Sequence, residues 1–133
     1  MDALIEQHIG AEMAEDPAGA VAMYTDDVEH DTVGWPGGPV HGRAAARGFY
    51  DQLIANFHTE EMAPTRQLYG DDFCVIEHLC TGRATGEFLG IPGGDRRVSF
   101  RMLHVWEFKD GAISRENVWL DGGAIVAQLT ADG

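Results

Sequence analysis

The chain has 133 residues, 9 basic and 22 acidic, and a formal charge of −13 at pH 7. That length fits a single domain, 1–133, around one core, and 44% hydrophobic with 23% charged residues is ordinary for a globular protein. So acidic a surface repels phosphate backbones and anionic headgroups, which argues against nucleic acid and membrane as partners.

No apolar run approaches the ~20 residues of a membrane span. Residues 1–16 lack the positive start and apolar block of a secretory signal, so a cytoplasmic chain is expected.

From Asp2, read as an N-cap, Leu4, Ile5, His8, Ile9 and Met13 recur at helical spacing. Asp16-Pro17 opens a second, short helix, continued by Val21 and Tyr24. Residues 34–39 form a glycine- and proline-rich loop. A third helix runs from about Arg43 to Phe57, with Phe49, Tyr50, Leu53 and Phe57 as its buried stripe. Leu68 to Thr85 reads as extended chain broken by a turn at Gly70-Asp71-Asp72, and Gly86 to Asp95 as a loop. Cys74 and Cys80 share one strand. At ~3.3 Å per residue they lie roughly 20 Å apart, beyond disulfide reach, so free thiols are expected.

Val98 to Lys109 alternates, Asp110-Gly111 is a hairpin signal, and Ala112 to Asp121 alternates again. Helices first and an antiparallel meander second is the α+β pattern. A two-residue turn sets Phe108 opposite Ile113, Trp106 opposite Arg115, His104 opposite Asn117, Met102 opposite Trp119 and Phe100 opposite Asp121. All ten then share one face. A face that mixes Phe, Met and Trp with His104, Asn117 and Asp121 reads as a binding pocket. Leu103, Val105, Val118 and Leu120 fall on the other, partly exposed face.

The segments Gly86-Glu87-Phe88-Leu89-Gly90-Ile91-Pro92, Arg96-Arg97-Val98 and Phe108-Lys109-Asp110-Gly111-Ala112-Ile113, with the ending from Asp121 through Gln128-Leu129, resemble the SnoaL-like polyketide cyclases. Ala22-Met23-Tyr24-Thr25-Asp26-Asp27, His30-Asp31-Thr32-Val33-Gly34 and Gly42-Arg43 through Phe49-Tyr50 are similar to the ketosteroid isomerases. The resemblance implies the nuclear transport factor 2-like (cystatin-like α+β barrel) fold, a cone of curved antiparallel sheet closed by three N-terminal helices around an apolar pocket. By the same resemblance, Asp121 falls on the cyclases' acid/base aspartate and Asp31 on the isomerases' general base. His104 stands where the isomerases keep a protonated aspartic acid, and His8 near their tyrosine donor. A homodimer, formed through the outer sheet face, is also implied.

Asp121, His104 and Asp31 are thus the candidate catalytic residues. Asn117, Trp119, Met102, Trp35, Tyr24, Phe49, Glu77 and His8 are the candidate substrate contacts. Each has a plainer reading. His104 would be a neutral core histidine, Asp121 an N-cap for Gly122 to Leu129, Asp31 a turn residue, Glu77 an outward strand position and His8 a packing residue. His58-Thr59-Glu60 has the spacing of a metal-ligand fragment, but no further ligand supports it, so no metal is expected. Phosphate-loop, dinucleotide-loop and nucleophilic-serine motifs are absent, so no cofactor is implied.

The expected function is cofactor-independent acid/base chemistry on an apolar carbonyl-bearing or cyclic small molecule. Aldol-type cyclisation comes first, with isomerisation, dehydration and epoxide opening related to it. The alternative is a non-catalytic binding or assembly module of the same fold.

Overall fold

The computed structural model describes residues 1–131. Helix α1 (Asp2–Met13) is followed by α2 (Pro17–Val21), strand β1 (Tyr24–Val33), the short β2 (Val40–His41) and α3 (Arg43–Asn56). Then come β3 (His58–Tyr69), β4 (Phe73–Ala84), β5 (Glu87–Phe88), β6 (Ile91–Pro92), β7 (Arg96–Lys109), β8 (Ala112–Leu120) and α4 (Gly122–Leu129). Six strands make one sheet in the order β2-β1-β8-β7-β4-β3, while β5 and β6 pair separately. The α+β class and the curved sheet are as expected, but the sheet stays open rather than closing into a barrel. One pair, β1 with β8, is parallel. The third helix sits between β2 and β3, and α4 adds a fourth helix after the sheet.

Several local readings hold for a physical reason. The Asp16 carboxylate accepts the Gly19 N–H at 3.0 Å and so caps α2. Asp110 and Gly111 both adopt positive φ, 51° and 76°, as a type I′ hairpin turn requires. Cys74 and Cys80 are free and buried in β4. By contrast, α1 starts one residue earlier than an Asp2 cap would place it, with Met1 at the N-cap and no side-chain cap bond.

Two stretches differ from expectation. Tyr24 does not extend α2 but opens β1, on which Tyr24, Val28, His30 and Thr32 are buried. The acidic run Asp26-Asp27-Val28-Glu29-His30-Asp31 conceals this strand, because its buried positions are largely polar. β3, of which only Leu68 and Tyr69 fall within the expected extended chain, is an edge strand. It is exposed along most of its length and carries Pro64 and two pairing irregularities, which suit an edge and weaken any periodic signal.

The largest correction lies in the β7–β8 hairpin. Lys109 faces Ala112 and Phe108 faces Ile113, but Glu107 then faces Arg115, so Ser114 is an unpaired bulge residue. From there on the pairing is displaced by one. Trp106 meets Glu116, His104 meets Val118, and Met102 meets Leu120. A one-residue slip reverses every side chain. Glu116, Val118 and Leu120 therefore face inward, and Asn117 and Trp119 face out.

Two apolar clusters fill the interior. One packs Ile5, Val21, Tyr24, Val28, Tyr50, Trp106 and Ile113 beneath α1 to α3, and the other gathers Phe57, Phe88, Val98, Phe100, Ile125 and Leu129 against α4. Among the described residues no helix is long and apolar enough to cross a membrane.

Candidate functional site

Glu116, in the middle of β8, is the polar centre of the interior. Its Oε1 accepts hydrogen bonds from the Tyr24 hydroxyl and Trp106 Nε1, both at 2.8 Å, and lies 3.0 Å from His8 Nε2. Its Oε2 accepts from the Tyr50 hydroxyl at 2.9 Å, with His30 Nε2 3.6 Å away. Each hydroxyl has a single proton, and both are given to Glu116. The Tyr50 oxygen is left to accept from His8 Nε2 at 3.1 Å and His30 Nε2 at 3.0 Å. His8 Nδ1 lies 2.6 Å from the Ala20 carbonyl oxygen, which can only accept. His8 therefore carries protons on both nitrogens and is an imidazolium paired with the Glu116 carboxylate.

Electrostatics agree with this count. Burial alone would lower the pKa of His8, yet the Glu116 charge and hydrogen bond outweigh it and raise it to about 9. Burial would raise that of Glu116, but the His8 charge and the His30 hydrogen bond hold it well below the usual carboxylate range. Glu116 is fully committed and is no proton acceptor.

Beside this pair lies a cavity of about 40 Å³, room for about three waters. Its polar wall comprises Glu12, His30, Thr32, Tyr50, His104 and Glu116, and the rest of its lining is mainly aromatic and aliphatic. Trp35 borders both this cavity and a wider cleft of about 370 Å³ lined by Pro36, Gln52, Asn56, Glu87 and Leu89. The Trp35 ring thus stands between the interior and the surface.

Two groups at the cavity remain free for chemistry. Glu12, one turn after His8 on α1, makes no hydrogen bond among the described residues and is 3.9 Å from His8 Nε2. Burial raises its pKa to about 7, His8 opposing and Glu116 adding. His104 stacks on Trp106 with ring centroids 4.5 Å apart, and its Nδ1 meets His78 Nδ1 at 3.1 Å, so one ring donates to the other. Burial lowers the pKa of His104 to about 3, against the opposing charge of Glu116 and with His78, His8 and His30 adding to the fall. His104 is a neutral imidazole whose Nε2 is left for a ligand.

The structure brings His104, Met102, Trp35 and Phe49 to this cavity. His8 and Tyr24 lie behind it, bound to Glu116. Asp31, Asn117 and Trp119 do meet, but on the outer face. Asn117 Nδ2 donates to Asp31 at 3.2 Å, and Trp119 Nε1 donates to Asn117 at 2.6 Å. Asp121 caps α4, accepting the Ala124 N–H at 3.1 Å, and is exposed. Glu77 faces outward and accepts from Thr65 Oγ1 at 3.1 Å. His58 pairs with Glu15, and Glu60 with Arg97. Among the described residues no three His, Cys, Asp or Glu side chains converge as metal ligands.

Glu116, Glu12, His30, Thr32 and Tyr50 escaped the sequence reading as site residues. The bulge concealed Glu116. Glu12 was within reach, because it lies four residues after His8 on the same helical face.

A profile of the SnoaL-like domain matches residues 5–116, most of the chain, including Glu12, His104 and Glu116. The chain belongs to the SnoaL-like family. Several solved structures share the SnoaL-like fold with it. One, from Jannaschia, provisionally named a SnoaL-like polyketide cyclase, is 17% identical with a TM-score of 0.85, covering 99% of this chain and 92% of that one. Another, from Xanthomonas campestris and provisionally named a polyketide cyclase, is 18% identical with a TM-score of 0.83, covering 97% and 96%. A nuclear transport factor 2-like protein of unknown function from Burkholderia pseudomallei is 18% identical with a TM-score of 0.78, covering 98% and 97%. No curated protein matches this SnoaL-like chain.

Proposed function

We propose that the chain is a cofactor-independent acid/base enzyme acting on a small, mostly apolar carbonyl compound, of the cyclase or isomerase type. The observation that carries this reading is the meeting of Glu12 and His104 in one aromatic-walled cavity. A carboxylate with a pKa of about 7 is matched to proton transfer at neutral pH. Glu12 takes a proton from the carbon next to the carbonyl, and the electron pair moves onto the carbonyl oxygen. The resulting enolate is held by an N–H of neutral His104, in the tautomer in which His78 donates to its Nδ1. Attack on a second carbonyl closes a ring, and Glu12 returns its proton to the new alkoxide. Return of the proton to another carbon is isomerisation.

The test is turnover of a panel of ketones and diketones by the wild type, Glu12→Gln and His104→Ala. Loss of a positioned base is expected to slow turnover by about 10²-fold or more. Wild-type rates in both variants would overturn the assignment.

A non-catalytic module is the second reading, and one observation favours it. The cavity holds only about three waters, and Glu116 is locked in internal hydrogen bonds. We further propose that the outer sheet face is covered by a second copy of the chain. Leu79, Leu103 and Trp119 are 41%, 37% and 51% exposed there, with Leu103 and Trp119 paired across β7 and β8.

A further inference from the structure

We propose that the cavity binds a compact alkylammonium ion, with Glu12 as its counter-ion. The proposal goes beyond the enzymatic reading and does not need it. Glu12 is 10% exposed and unpaired by any hydrogen bond among the described residues. A buried carboxylate that accepts no hydrogen bond is costly unless something in the cavity meets it.

Charge and shape say what fits. His8 and Glu116 cancel one another, so ionised Glu12 leaves one uncompensated negative charge at the polar wall. The opposite walls are the rings of Trp35, Phe49, Phe57, Phe88 and Phe100. Trp35 meets Phe49 and Phe88 edge to face, at 67° and 71°. One carboxylate among aromatic walls attracts a cation and repels carboxylates and phosphates. The volume admits only a few heavy atoms. An ammonium N–H can meet Glu12, while its methyl groups contact the rings.

Glu12 faces His8 on its own helix, Glu116 on β8, His30 on β1, Tyr50 on α3, His104 on β7 and Cys80 on β4. His8 is raised to about 9, His104 lowered to about 3 and Cys80 raised to about 12, so these three keep their charge near neutrality. Tyr50, raised well above its ordinary value, stays neutral too. Glu12 is the group whose charge changes near neutrality.

The experiment is an NMR titration of the full chain with dimethylammonium chloride, following the tryptophan indole N–H signals. Acetone serves as the neutral probe of similar size. Saturable binding of dimethylammonium is expected, at least about tenfold tighter than acetone. It should weaken about tenfold from pH 8 to pH 6 as Glu12 takes up its proton. Glu12→Gln, which mimics the neutral form the wild type already visits near pH 7, should lose both the affinity and its pH dependence. Acetone binding as tightly as the cation, unchanged affinity in Glu12→Gln, or a pH dependence that persists in that variant would each overturn the proposal. A chain that turns over ketones yet ignores dimethylammonium fails here alone.

Discussion

At the scale of single residues, the interior is organised by one ion pair. Glu116→Gln leaves the His8 imidazolium buried without its counter-charge, and breaking such a pair costs about 3–5 kcal/mol. Chemical denaturation at neutral pH measures it. The folded pKa of His8, about 9, lies above its unfolded value of 6.5. Its contribution to stability is therefore complete below about pH 6.5 and is lost as pH rises through about 9. Wild-type stability should fall across that window, and Glu116→Gln should flatten the fall. His104 acts in the opposite sense, losing its contribution as pH falls from 6.5 towards about 3. The residue types of the site were legible in part. His104 was placed inside because it alternates with Met102 and Trp106. Glu12 was passed over because an acid on a surface helix ordinarily meets solvent, and only the packing of α1 removes it from water.

At the scale of elements, Ser114 decides which half of β8 the interior receives. Deleting Ser114 keeps Glu107 opposite Arg115 and Trp106 opposite Glu116, so the variant should fold with the site intact. Inserting one alanine after Arg115 instead sends Glu116 outward and should abolish cooperative unfolding, which circular dichroism during denaturation separates cleanly. Hydrophobic alternation cannot report a bulge, since the same string reads equally well in either parity until a partner strand is fixed. Val118 and Leu120 held the one hint, two aliphatic residues in the phase opposite to the predicted inner face. The caps were easier to read, because Asp before a helix acts locally. Asp121→Ala is expected to cost about 1 kcal/mol in thermal or chemical stability and to leave turnover in place, the reverse of Glu12→Gln.

At the scale of the whole molecule, the class, the order of elements and the family were legible because they depend on composition, turns and long alternating strands. β1 and β3 were not. β1 pairs along most of its length with β8, far away in sequence, β3 is an edge strand, and neither carries an apolar stripe of its own. The outer face is where assembly can be tested. Trp119→Asp, together with Leu103→Asp, places charge on the exposed apolar patch. Sedimentation equilibrium should show the wild type as a dimer and the double variant as a monomer. A monomeric wild type removes the second copy from the account.

The parallel pairing of β1 with β8 has a consequence in time. Residues 24–33 find their sheet partner among residues 113–119, so nearly the whole chain must exist before the first strand is paired on that side. Contacts so distant in sequence slow folding, because the intervening chain must first lose its freedom. During synthesis β1 waits with an open edge, and its run of four acidic residues, Asp26, Asp27, Glu29 and Asp31, discourages premature pairing with another chain. The last strand to emerge also brings Glu116, so the interior charge pair closes in the same event that completes the sheet.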